Sequence, residues 1–300
     1  MLLVGRHELA CSILDAVHRN PAIDLACVAS RRENSDRRPT LARLAPLRSI
    51  RVLGGGSKAA LSDVIDSCRP DIMVSAGYDR IVAADVLARV PRSVNVHFGM
   101  LPKYRGSYSI PWAILNNEPE IGVTLHDMAP SIDDGAIIRQ ERFSNDPSLS
   151  CRDFYDRAVE IGTGLVGWLI ERTLSGDPPA GVPQDERMAT YYAPNYPGDF
   201  KIPWRQTATY VVNYIRAAHF PPYDGAFGEI EGHRVVFDWP VEHHFDYRSA
   251  SPGTVVEYNG RLGIAVINGL ILPKTVTFDR RPAVFADVVA KCSLLNQSFV

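Results

Sequence analysis

Short β-branched and apolar runs alternate with amphipathic stretches through the first third of the chain, and no other feature of the sequence limits its fold so strongly. Residues 2–4 read as a strand, 7–19 as a helix and 23–29 as a strand. The pattern continues with a strand at 49–53, a helix over 57–68 with Ala59, Leu61, Val64 and Ile65 on one side, and a strand at 71–76. A helical turn at 83–90 leads into a strand at 93–98. Strands separated by helical crossovers imply an α/β class with a Rossmann-like, mostly parallel sheet covered by helices on both faces. Ligands of such sheets collect outside the carboxyl ends of the strands, near the reversal in strand order. Chemistry is to be sought there.

Further along, a helix begins near Tyr108, strands follow at 121–128 and 136–143, and a long helix over 151–175 carries Phe154, Ala158, Ile161, Leu165 and Trp168 at helical spacing. The Gly/Pro-rich stretch 175–183 marks a boundary. A helix at 206–218 and a hairpin around Glu231-Gly232 come next. Beyond Pro252, two Asn-Gly pairs, Asn259-Gly260 and Asn268-Gly269, separate three apolar runs and predict a small β-meander, closed by a helix at 283–293. The expected division is a catalytic domain over 1–183, a connecting helix and hairpin over 184–250, and a small C-terminal β subdomain over 251–300.

Composition narrows the function classes. A net charge of -2 gives no electrostatic reason to expect a nucleic-acid or strongly anionic membrane partner. Cys11, Cys27, Cys68, Cys151 and Cys292 are scattered, without a C-x-x-C pair, and read as reduced thiols rather than a disulfide framework or zinc site. The apolar run at the N-terminus is broken by Arg6, His7 and Glu8, and no run of about 18 apolar residues occurs to span a bilayer. A soluble, cytoplasmic chain without a membrane partner is expected.

The stretch 93–143 carries the chemistry. In a strand, alternate side chains share a face, so Asn95 and His97 point one way while Val94 and Val96 enter the sheet. An amide donor beside an imidazole at a strand end suits acyl transfer: the amide stabilises an oxyanion and the imidazole moves a proton. A carboxylate from the turn Ser131-Ile-Asp-Asp-Gly135 would orient His97. Each residue also has a plain structural reading. Asn-x-His on a strand fits two satisfied polar groups, and Asp133 and Asp134 before Gly135 fit an ordinary turn. His126, alternating with Leu125, reads as a half-buried strand histidine. The remaining histidines lack ligand spacing, so no metal is assigned.

Five motifs in order resemble the 10-formyltetrahydrofolate-dependent formyltransferases: Asn95-x-His97, Leu101-Pro102-x-Tyr104-Arg105-Gly106, Trp112-Ala113-Ile114, Gly122-Val123-Thr124-Leu125-His126-x-Met128 and Ile132-Asp133-x-Gly135. That family includes methionyl-tRNA formyltransferase, glycinamide ribonucleotide transformylase and the nucleotide-sugar N-formyltransferases. The resemblance implies an N-formyltransferase that uses 10-formyltetrahydrofolate as co-substrate and no metal. By position, Asn95 stabilises the oxyanion, His97 handles the proton and Asp133 tunes His97. Arg80, Ile81 and Val82 fall in the segment whose backbone holds the pterin, and Ala129, Pro130, Ser131 and Ile132 in the turn that closes over it. Tyr104, Arg105 and Ser107 are the implied substrate contacts. Phe98-Gly99-Met100 departs from the H-x-S-L-L-P pattern of many relatives, with Gly99 where they have Ser; this bears on substrate rather than activity.

Residues 191–240, with Tyr191-Tyr192-Ala193-Pro194, Ile202-Pro-Trp204 and the run from Ile215 to Pro222, look like the downstream part of nucleotide-sugar N-formyltransferases. The implied acceptor is a nucleotide-linked amino sugar of the kind used in lipopolysaccharide or O-antigen synthesis. The rival acceptor is tRNA: Arg31, Arg32, Arg37, Arg38, Arg43, Arg48 and Arg51 fall where the tRNA enzyme carries a basic insertion. Strong RNA binding needs a concentrated basic surface, and Glu33 and Asp36 interrupt this one. Small amines such as hydroxyornithine are a further alternative, and the oligomeric state, a homodimer among the options, is left open. A dinucleotide oxidoreductase would need G-x-G-x-x-G after the first strand, where Gly5 stands alone. A noncatalytic binding module would most simply have lost Asn95, His97 or Asp133.

Overall fold

A computed structural model describes residues 1–29, 40–54 and 58–300 and divides the chain into two compact units. Unit 1 comprises 1–109, 120–143 and 155–192; unit 2 comprises 110–119, 144–154 and 193–300. Arg31, Arg32, Arg37 and Arg38 of the basic loop lie outside the described residues, as does the Ala59 side chain.

Unit 1 is built from β1 (Leu2–Gly5), α1 (His7–Val17), β2 (Ala26–Ala29), α2 (Leu41–Leu47), β3 (Arg51–Gly54), α3 (Lys58–Cys68), β4 (Ile72–Ala76), α4 (Ala84–Leu87) and β5 (Arg92–His97). A short β6 (Arg105–Gly106), β7 (Glu120–Asp127), β8 (Ile137–Ser144), most of α6 (Cys151–Leu174) and β9 (Tyr191–Tyr192) complete it, while α5 (Ser109–Leu115), between β6 and β7, falls in unit 2 beyond Ser109. The seven-stranded sheet has the order β3-β2-β1-β4-β5-β7-β8, with β1 to β5 parallel and β7 antiparallel to β5. This is the mostly parallel α/β sheet that the sequence pattern implies. Every residue of β1 and β4 is buried, as expected where helices cover both faces of a parallel sheet. Leu2, Val4, Ala26, Val28 and Met73 meet Leu61, Val64 and Ile65 of α3 and Val82, Val86 and Val90 in one apolar cluster. The order reverses between β1 and β4, so their carboxyl ends flank the switch that collects ligands, and β5 is the next strand beside β4.

Unit 2 holds α7 (Ala208–Ala218), β10 (Phe227–Ile230), β11 (His233–Phe237), β12 (Glu242–Phe245), β13 (Val255–Tyr258), β14 (Arg261–Val266), β15 (Gly269–Leu272), β16 (Thr275–Phe278), β17 (Arg281–Val284) and α8 (Phe285–Cys292). Asn259 and Gly260, with φ of 50° and 69°, turn β13 into β14, the double positive φ that makes Asn-Gly a hairpin turn. The meander is there, but it does not stand apart. β12 completes it as β12-β15-β14-β13, while β10 and β11 join β16 and β17 in a second four-stranded sheet. Strands on both sides of the expected boundary at 250/251 therefore share hydrogen bonds. An edge left open on a three-stranded meander invites such pairing. Trp204, Phe237 and Phe299 form an aromatic centre, with ring centroids 5.2–5.5 Å apart.

Candidate active site

Strand alternation buries Val94 and Val96 and turns Asn95 and His97 to the opposite face. The antiparallel register then sets Asn95 opposite His126, and His97 opposite Thr124, on β7. Opposite residues share a face, so the register brings a second imidazole to the amide.

Asp133 arrives from the turn after β7, at a φ of 54°, a left-handed conformation that Asp tolerates better than most residues. Gly135 allows the turn to close, because a Cβ there would run into the Asp127 carbonyl oxygen. The Asp133 carboxylate faces four groups. Its Oδ2 accepts the Gly106 N–H at 2.8 Å and lies 3.4 Å from His97 Nδ1. Its Oδ1 lies 3.4 Å from Asn95 Nδ2 and 3.5 Å from His126 Nε2. Burial pushes this carboxyl up, but the His97 ring and the Gly106 N–H help hold it below the ordinary carboxylate range. Burial pushes the His97 imidazole down, against the opposing pull of Asp133 and the Tyr104 carbonyl.

The two nitrogens of His97 differ. Nε2 lies 2.7 Å from the Tyr104 carbonyl, which only accepts, so Nε2 carries the proton of the neutral ring. Nδ1 is then the basic nitrogen, and it faces Asp133. A proton gained at Nδ1 makes an imidazolium hydrogen-bonded on both sides. Tyr104 aims its carbonyl from a φ of 62°, with its ring stacked on Tyr192 and its N–H donated to Thr190 Oγ1 at 2.8 Å. Gly99 leaves room for the imidazole: a Cβ there would sit 2.6 Å from His97 Nε2. That packing requirement accounts for Gly99 without reference to a substrate.

Of the expected substrate contacts, Arg105 turns inward. Its side chain is 0% exposed, forks onto both Glu186 oxygens at 2.6 and 3.0 Å, and donates to Gln184 Oε1 and Tyr191 Oη. It anchors the segment whose next residue, Gly106, holds Asp133. Tyr104 is buried, and Ser107 is half-buried with its N–H on the Tyr192 carbonyl. Arg80 and Ile81 are exposed on the loop after β4, and Val82 turns into the core. Among the described residues, the backbone groups of 80–82 make no hydrogen bond within the protein, which fits a ligand read through main-chain donors and acceptors. Pro130, Ser131 and Ile132 are exposed on the turn that carries Asp133, and Ala129 is half-buried. Among the described residues, no group of three His, Cys, Asp or Glu could hold a metal.

Two members of the cluster are not evident from the sequence. His126 is 2% exposed rather than half-buried, with Nε2 3.1 Å from Asn95 Nδ2 and Nδ1 2.8 Å from the Asp127 carbonyl. Gln184 donates to the carbonyls of Asp133 and Gly135 at 2.8 and 2.7 Å. The signal for His126 lay in the antiparallel pairing of two strands; Gln184 had none.

The family model for formyl transferase matches residues 26–166, and that for the formyl transferase C-terminal domain matches 196–291. The methionyl-tRNA formyltransferase of Moorella thermoacetica is 36% identical over 168 residues, 56% of this chain and 53% of that protein. The bifunctional polymyxin resistance protein ArnA of Wigglesworthia glossinidia brevipalpis is 29% identical over 200 residues, 66% of this chain and 30% of that one. The chain thus spans about half of the first relative's length and under a third of the second's. The N-formyltransferase of Helicobacter canadensis, solved with folinic acid and dTDP-3-aminofucose, superposes with a TM-score of 0.69 at 23% identity, covering 91% of this chain and 97% of that one.

Proposed function

The chain belongs to the formyl transferase family, and we propose that it transfers a formyl group from 10-formyltetrahydrofolate to the primary amine of a nucleotide-linked amino sugar. One observation carries the chemistry: Asn95, His97 and Asp133 share a single hydrogen-bonded cluster at the carboxyl end of β5. The folate, held by the backbone of 80–82 and the turn 129–132, supplies an electrophilic formyl carbon. A neutral amine attacks that carbon, and Asn95 donates an N–H to the formyl oxygen as negative charge develops there. The proton leaving the amine goes to the His97–Asp133 pair, where Asp133 stabilises the imidazolium formed by protonation at Nδ1. The pair returns a proton to the folate nitrogen as its bond to the formyl carbon breaks, so that tetrahydrofolate leaves and the amine keeps the formyl group. Burial keeps His97 neutral beforehand, so the base is ready at neutral pH.

The sugar-nucleotide acceptor draws support from the net charge of -2 and from the dTDP-3-aminofucose complex of the superposing Helicobacter canadensis enzyme. Incubating the protein and 10-formyltetrahydrofolate with a panel of sugar nucleotides, hydroxyornithine and Met-tRNA tests it by mass spectrometry. Mass gain on an amino-sugar nucleotide is the expected result; gain only on Met-tRNA replaces the acceptor. Salt gives a second readout. Affinity for a sugar nucleotide changes modestly between about 50 and 200 mM salt, whereas a tRNA enzyme making about 6–10 phosphate contacts loses roughly three orders of magnitude or more.

A further inference from the structure

His126 is more than a buried strand residue. Its Nδ1 lies 2.8 Å from the Asp127 carbonyl, a group that only accepts, so the proton of the neutral ring sits on Nδ1 and Nε2 presents a lone pair. That lone pair is 3.1 Å from the Asn95 amide nitrogen, and Asp133 Oδ1 is 3.4 Å from the same nitrogen. Both neighbours are acceptors, which settles which end of the Asn95 amide points at them: the NH2, with its oxygen turned away.

The third side of this triangle is the 3.5 Å between His126 Nε2 and Asp133 Oδ1. The three distances close to an angle of about 65° at the amide nitrogen, far narrower than the roughly 120° between the two N–H bonds of a planar amide. Two N–H groups cannot both meet these acceptors head-on, but one N–H directed between them reaches both. We propose that His126 is a positioning residue: its Nε2 lone pair, with Asp133, takes one N–H of Asn95 and so leaves the other to bind the oxygen on which negative charge develops. The inference rests on the formyl-transfer reading for its kinetic consequence but not for its geometry.

His126 is the nearer of the two acceptors. Without it the amide keeps only the longer contact to Asp133, and the χ2 torsion of Asn, broad and two-fold by nature, is no longer held. The groups facing His126 are His97, edge-on with centroids 6.4 Å apart, the Asp133 carboxylate and the Asp127 carbonyl. The Asp127 side chain is itself paired with Arg92 at 3.1 Å. Apart from Asp133, which already holds the longer contact, none of these is an acceptor aimed at the Asn95 amide.

Three variants test the inference. His126→Met keeps an unbranched apolar bulk and removes the acceptor; it lowers kcat by about tenfold, the scale of one net hydrogen bond, with cofactor Kd unchanged. His126→Gln restores an acceptor near Nε2 and recovers most of that loss. In an Asn95→Ala background, His126→Met has no further effect on kcat, because a residue acting only through Asn95 has nothing left to position. Wild-type kcat in His126→Met, or the same fold loss in both backgrounds, overturns the proposal. Long-range proton–nitrogen NMR of the histidine rings supplies a readout independent of turnover. Protonation of His126 at Nδ1 is expected, and a ring protonated at Nε2 instead removes the acceptor and the proposal with it. A protein that shows this ring state yet formylates no acceptor sinks the functional reading and leaves the positioning geometry standing.

Discussion

Each unit buries a polar cluster, and the two are wired differently. In unit 2, Arg216 is 2% exposed and donates from its two terminal nitrogens to the Asp146 and Leu149 carbonyls and to Asn213 Oδ1, with Phe154 beneath its guanidinium. Asn213 in turn donates to Asn117. Its bonds reach mostly main chain, so they tie the segment 146–149 to α7. In unit 1, Asn95, His97, His126 and Asp133 also reach main chain, at Tyr104, Asp127 and Gly106, but their side chains meet one another as well, at 3.1–3.5 Å, and three of the four are ionisable. A buried polar group spent on backbone carbonyls stabilises a loop. Titratable groups bonded to one another can exchange protons and present a donor to a ligand, which is how chemistry differs from scaffolding at equal burial.

The sharpest way to break that contrast is Asn95→Ala. It is expected to lower kcat by roughly two to three orders of magnitude, the range for one oxyanion donor, while cofactor Kd moves little. Asn95→Asp is expected to be worse, since it sets a negative charge against a developing one. A lower Tm with unchanged kcat would place Asn95 in the scaffold class with Arg216. Next come His97→Ala and Asp133→Asn, each expected to reduce kcat by at least about a hundredfold in protein that is folded by circular dichroism. Near wild-type turnover in either would remove that residue from the proton path.

Arg216→Met should do the opposite. Leaving two carbonyls without their donor costs about 1–3 kcal/mol and lowers Tm by several degrees, with kcat per folded molecule unchanged. A fall in kcat at unchanged Tm would erase the distinction between the clusters. The smallest expected effect is on acid stability. Burial lowers the His97 pKa, so its contribution is complete above the ordinary imidazole value near 6.5 and is lost as pH falls below it. Asp133, also held low, adds a further loss only below about pH 4. His219 of unit 2 is lowered by burial too. His97→Gln and His219→Gln should each flatten part of the decline in Tm between about pH 7 and 5, and a decline unaltered in both variants would show that neither histidine is responsible.

Much of unit 1 is readable one residue after another, because its signals are local. The apolar runs of β1 and β4 and the face of Leu61, Val64 and Ile65 on α3 mark a covered parallel sheet, and alternation alone puts Asn95 and His97 on one face. The Asn259-Gly260 turn is equally local, since its two positive φ values belong to those residues. Pairings between segments distant in sequence are not legible in this way. Nothing in Glu242–Phe245 announces that it will add itself to the meander after Pro252, because any strand edge offers the same unpaired donors and acceptors.

The same division runs through the site. Sequence by itself determined the residue types, the shared face of Asn95 and His97, and a carboxylate in a glycine-closed turn. Only tertiary structure decided that β7 runs antiparallel to β5 in a register placing His126 across from Asn95, and that Arg105 turns inward to Glu186. The physical reason is that local propensity fixes where a side chain leaves its own strand. Hydrogen-bond partners and burial depend on which other segment lies alongside, and a one-residue slip in that pairing would have turned His126 to the opposite face of the sheet.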